Sequence, residues 1–117
     1  MVYRIEKVKP HYLLLKEVSV VAGAEQKYDV TFSDTMRIAD LYFVNSSTAN
    51  TKKVTVSIQF EDEVITHEEI PLYLFDIDNE QREKIQVNVR NGEKMTIAFS
   101  NDDSNDLTGY LIAVIEK

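Results

Sequence analysis

The side chains of this chain with the types and spacing for chemistry are mostly carboxylates in polar tracts. Asp76, Asp78 and Glu80 occupy every second position of Asp76-Ile77-Asp78-Asn79-Glu80, and Asp102, Asp103 and Asp106 crowd the tract Ser100 to Asp106. Alternating carboxylates are how a calcium loop begins, because Ca²⁺ takes about six to eight oxygen ligands. An EF-hand loop also needs a glycine at its bend and a later bidentate glutamate. Here the glycine is missing, and Arg82 and Lys84 bring counter-charges into the tract. Asp and Asn side chains also fold back on their own backbone in turns. Solvated turn chemistry is therefore preferred for these six calcium candidates, and no metal or other cofactor is expected.

The other chemical groups are scattered. His11 and His67 have no ligand partner at a helical or hairpin spacing, and His67 sits between Thr66 and Glu68 at an alternating, water-facing position. With no cysteine there is no disulfide, thiolate ligand or thiol nucleophile. No serine stands in a Gly-x-Ser-x-Gly elbow, and no glycine-rich phosphate loop occurs. A carboxylate pair of the glycosidase kind could be drawn from any of the 20 acidic residues. A domain this small rarely encloses the cleft such a pair needs. No catalytic residues are assigned. The tyrosines (Tyr3, Tyr12, Tyr28, Tyr42, Tyr73, Tyr110) mostly fall on strand positions, where core or inter-subunit packing is preferred to a carbohydrate-stacking platform, for which tryptophan would be expected and none is present.

Composition sets the outer bounds. The 117 residues suffice for one domain with a single core. The net charge of −7 disfavours contact with nucleic-acid phosphates or an anionic membrane. No apolar run approaches the roughly 18 residues of a spanning helix, and Met1 to Pro10 is charged throughout. A protein that begins in a cytoplasm is the expectation.

The elements that must position these groups are strands. From Leu41 to Phe60 the chain reads as a β-hairpin at the centre of a sheet. Val54, Val56, Ile58 and Phe60 alternate with polar residues, while Leu41 to Val44 is apolar on both sides. Asn45 to Asn50 would make the turn. Tyr28, Val30 and Phe32 alternate in an earlier strand, and the alternation of Leu13, Leu15, Val18 and Val20 slips near Lys16-Glu17, as at a bulge or a change of sheet. Asn91-Gly92 reads as a tight hairpin turn between a strand with Ile85, Val87 and Val89 and one with Met95, Ile97 and Phe99. The tract Asp76 to Lys84 reads as loop. The last strand sets Tyr110, Ile112 and Val114 against Leu111, Ala113 and Ile115. About eight strands with turns at roughly 8–12-residue spacing predict an all-β, antiparallel sandwich, jelly-roll-like or immunoglobulin-like, over residues 1–117. Residues 1–21, broken by Pro10, would form an N-terminal arm or edge segment.

A strand ending in asparagine (LYFVN), a small polar turn and a VTVSI strand are followed by a proline-bearing turn, a strand before Asn-Gly, the MTIAFS strand and a last strand entered through Gly109-Tyr110-Leu111-Ile112. Over about Ala24 to Glu116 this rhythm resembles the small β-sandwich virion proteins of tailed bacteriophages and prophages, found as head–tail connector, tail or capsid-decoration components. The resemblance implies a non-enzymatic assembly role within a virion, in contact with copies of itself and with other virion proteins. Leu13, Leu15, Val18 and Val20 are then the candidates for an oligomer interface. The competing reading is a carbohydrate- or protein-binding module that uses loops at one end of the sandwich.

Overall fold

The computed structural model describes residues 11–61, 63–64, 69–82 and 84–116. His67 and residues 1–10 therefore lie outside it. Among the described residues the strands are β1 (His11–Val20), β2 (Glu25–Thr31), β3 (Met36–Asn45), β4 (Val54–Phe60), β5 (Glu63–Val64), β6 (Ile70–Pro71), β7 (Val87–Val89), β8 (Lys94–Asn101) and β9 (Leu107–Glu116). One sheet has the order β1-β9-β3-β7 and the other β2-β8-β4-β5, with β6 also paired to β4. Since β8 occupies one edge of β4 throughout, β5 and β6 share the other and together stand as one strand. Two four-stranded antiparallel sheets thus form a sandwich.

The pairing has a simple logic. β1 pairs with β9, β2 with β8, β3 with β7, and β4 with β5 and β6. The chain is one long hairpin folded between β4 and β5, then wound so that β9 also meets β3 and β8 also meets β4. That winding is the jelly-roll topology. It decides between the two sandwiches foreseen, since an immunoglobulin fold keeps more sequence neighbours within one sheet.

The core lies between the sheets. Val54, Val56, Ile58 and Phe60 are at most 2% exposed, Ile97 and Phe99 lie beside them on β8, and Leu111 and Phe43 of the other sheet are buried in the same core. Leu41 to Phe43 is covered on both sides, as its apolar run predicts. Gly109 on β9 lets the Phe43 ring and the Val44 carbonyl approach, and a Cβ there would collide with both.

Both expected hairpins are corrected. β3 and β4 belong to different sheets, and so do β7 and β8. The segment between β3 and β4 is an arch. Asn45 Oδ1 accepts from the Ser47 amide and hydroxyl, and Asn50 Oδ1 accepts from the Lys52 amide at 3.0 Å to cap the 3-10 turn Thr51–Lys53. At Asn91-Gly92 the Glu93 amide donates to the Arg90 carbonyl at 3.1 Å, and of the two central residues only Gly92 has a positive φ, 89°. A two-residue type I′ hairpin turn needs positive φ at both positions, so this turn cannot fold its strands back into one ladder.

The tract Asp76 to Lys84 contains no helix or strand in its described residues, matching its reading as loop, although Leu72–Phe75 before it coils into a 3-10 turn. Among the described residues no helix is long and apolar enough to cross a membrane.

Candidate interaction surface

The connections β1–β2, β3–β4, β6–β7 and β8–β9 gather at one end of the sandwich, where the calcium candidates also lie. The Ala22 amide donates to Asp106 Oδ1 at 2.9 Å, and the Asn50 amide donates to Asp103 Oδ2 at 3.2 Å. The Thr51 hydroxyl donates to Asp76 Oδ2 at 2.8 Å, and the Asp78 amide donates to Asp76 Oδ1 at 3.0 Å. Asn101, fully buried, donates through Nδ2 to the carbonyls of Val20 and Asn105. Burial pulls the Asp103 carboxyl upward, but the hydrogen bonds from Asn50, Asn105 and Ser104 outweigh it and leave the group below its ordinary range.

The structure does not gather the six calcium candidates into one cluster. Asp76 and Asp103 are buried and committed to loop donors, Asp106 is committed to Ala22, and Asp78, Glu80 and Asp102 are exposed. Among the described residues no group of three or more His, Cys, Asp or Glu side chains is placed to hold a metal ion. The chain uses Asp76, Asp103 and Asp106 to tie its loops together. His11 is exposed at the start of β1, opposite Ile115.

The loop Asp76 to Arg82 has a second task, since three-residue β7 leaves much of the outer edge of β3 unpaired. The Ile77 amide donates to the Phe43 carbonyl at 3.0 Å. Arg82 Nη1 donates to Asp40 Oδ1 at 2.6 Å, and the guanidinium lies over the Tyr42 ring, 5.2 Å from its centroid. A recess of about 260 Å³ lined by Ile70, Leu74, Phe75, Arg82 and Ile85 adjoins this corner, and its described lining includes no general acid or base.

The interface candidates Leu13, Leu15, Val18 and Val20 require a correction. Leu15, Val18 and Val20 are at most 7% exposed, and Leu13 is half-buried against the same core. The bulge at Leu15, where Leu14 pairs with Ile112 and Lys16 with Leu111, turns both halves of β1 inward. His11–Val20 is thus an edge strand integral to the sandwich, and any arm would be confined to residues outside the described ones.

Of the large apolar side chains left exposed, Val21, Leu74 and Ile77 lie in loops or turns, whereas Tyr12, Leu14 and Tyr110 share the opposite face of that sheet. Register places Ile112 of β9 between Leu14 and Tyr42, Val114 between Tyr12 and Asp40, and Tyr110 between Glu17 and Val44. Tyr12 is 65% exposed, Leu14 54% and Tyr110 38%. Val44, Ile112 and Val114 are half-buried. The Tyr42 hydroxyl is pushed above its usual range, first by burial and then by Tyr12 and Asp40. The Arg37–Glu116 ion pair, at 3.7 Å, closes one end of the patch.

The other sheet shows what a watered face looks like here. Lys27, Asp29 and Thr31 of β2, Thr96 and Ser100 of β8, and Thr55, Ser57 and Gln59 of β4 point away from the core, and Thr96 donates to Asp29 at 2.9 Å. One sandwich therefore carries one largely polar outer face and one whose middle is apolar, with charged side chains around it.

Against known proteins, no family model matches this chain, and no curated protein matches it. The strongest functional signal therefore remains the contrast between the two outer faces. In the sequence it was visible in β9, whose residues from Tyr110 to Ile115 are apolar on both sides. Joining Tyr12, Leu14 and Tyr42 to them needed the register.

Proposed function

We propose that this chain is a non-enzymatic assembly subunit that forms symmetric oligomers, a virion component of phage or prophage type. The observation that carries the reading is the apolar outer face of the β1-β9-β3-β7 sheet beside the polar face of its partner sheet. A contiguous exposed apolar patch on a small domain marks an interaction surface. The winding order supports the same reading by analogy, since capsid domains are among the proteins built this way.

Lectin domains share that winding, so the competing reading is an end-loop binding module for a sugar or a protein. The end loops favour assembly. Asp76, Asp103, Asp106, Asn45 and Asn79 spend their side-chain oxygens on the loops' own donors, where a sugar would have to compete for them.

Light scattering on the full chain tests the assembly reading. A stable multiple of 13.5 kDa is expected at micromolar concentration. A monomer that persists at high concentration would contradict it.

A further inference from the structure

The geometry points to the occupant of the apolar face: a second copy of this chain, packed sheet against sheet across a two-fold axis that passes beside Ile112. This rests on the assembly reading and names its interface.

Size is the first argument. β1, β9 and β3 each have 10 residues. At about 3.3 Å per residue and about 4.8 Å between strands, the three long strands make a face of roughly 33 by 14 Å, to which three-residue β7 adds little. With side-chain relief that area approaches the roughly 600 Å² per partner at the lower end of standard stable interfaces. The face is thus large enough to hold two copies without help from the edges.

Arrangement is the second. The apolar side chains occupy the middle rows of the sheet. Ile112 stands at their centre, on the inner strand β9 and between Leu14 and Tyr42. Arg37 and Glu116 lie at one end and Glu17 at the other, while Arg82 and Asp40, paired with each other, lie along the β3 side beside Tyr42 and Val114. An apolar centre within a polar rim is the anatomy of a protein interface.

Charge is the third. The chain as a whole carries −7, so two copies repel over most of their surfaces. On this face Arg37 is paired with Glu116 and Arg82 with Asp40, which leaves little net charge for a strongly basic or acidic partner to read. It is a surface on which two acidic chains can approach. A two-fold contact also uses one patch twice, so no second complementary surface is needed.

The test is sedimentation of the full chain and of Leu14→Glu, Tyr12→Ser and Leu74→Glu. All three positions are exposed in the single chain, at 54%, 65% and 46%, so the variants should fold, which circular dichroism checks. Leu14→Glu and Tyr12→Ser should halve the particle mass, with association weakened at least about 30-fold, the loss typical of an interface hot spot. Leu74→Glu, away from the sheet face, should leave the mass unchanged. An oligomer whose mass none of the variants alters would overturn this interface and leave the assembly reading standing. The same result would follow if the face were covered from within its own chain. A wild-type monomer at high concentration would overturn both.

Discussion

Arg82 Nη1 reaches Asp40 Oδ1 at 2.6 Å across 42 residues of sequence, with the two side chains 18% and 11% exposed. The pair fastens the loop after β6 to the outer edge of β3, where β7 is too short to pair. Removing one partner leaves a charge in poor solvent, so Arg82→Met should cost about 2–3 kcal/mol. Asp40→Asn in the same chain should cost much less than the sum of the single losses. A double-mutant cycle by denaturant melts should return a coupling of about 1–2 kcal/mol. Additive losses would show that the contact contributes nothing.

β4 allows a sharper contrast between adjacent positions. Ile58 is 1% exposed in the core, and Ser57 lies on the polar outer face. Ile58→Ala should cost roughly 2–5 kcal/mol through the cavity it leaves. Ser57→Ala should change stability by about half a kilocalorie or less. Equal losses would mean that the outer face of this sheet is covered as well.

Gly109 lies where β9 passes the Phe43 ring and the Val44 carbonyl oxygen. Gly109→Ala should therefore destabilise by about 3 kcal/mol, since overpacking forces the neighbours apart. Phe43→Leu in the same chain should recover only part of the loss, because the carbonyl cannot yield. A melting curve unchanged by Gly109→Ala would place the two strands farther apart than described.

Asp103 predicts a pH dependence. Its folded carboxyl titrates below the ordinary range of about 3.9, because the donors of Asn50, Asn105 and Ser104 outweigh burial. A lowered carboxylate stabilises above the unfolded pKa and loses that contribution as pH falls through the folded one. The stability gap between the wild type and Asp103→Asn should thus be steady from neutral pH to about 5 and shrink below about 4. A gap that stayed constant to pH 2 would contradict the assignment.

The alternation that marks a strand survives in any sandwich, which is why β4 and β8 were legible residue by residue. Partnership was not. An arch and a hairpin both bury alternate residues, so Val54 to Phe60 looks the same whether its predecessor pairs with it or faces it across the core. Asn91-Gly92 misled for a related reason, because the dipeptide serves a hairpin only when both residues adopt positive φ. The slip near Lys16 signalled the bulge, but not which half of β1 it would turn. That ambiguity placed Leu13, Leu15, Val18 and Val20 on an interface when they complete the core. Asp76, Asp103 and Asp106 do accept from donors of the end loops, as turn chemistry would have it, but that they tie separate connections together depends on contacts far apart in sequence.

The central claim is that a second copy closes the face around Ile112, and it can be measured directly because the chain has no cysteine of its own. Packed sheets lie about 10 Å apart, too far for a disulfide but within reach of a short bis-maleimide. In Ile112→Cys the reagent should join two chains rapidly at micromolar concentration, since a residue beside a two-fold axis meets its own copy whichever way the axis runs in the face. Leu74→Cys should react slowly and only in proportion to random encounter. Equal rates at the two positions would contradict the claim.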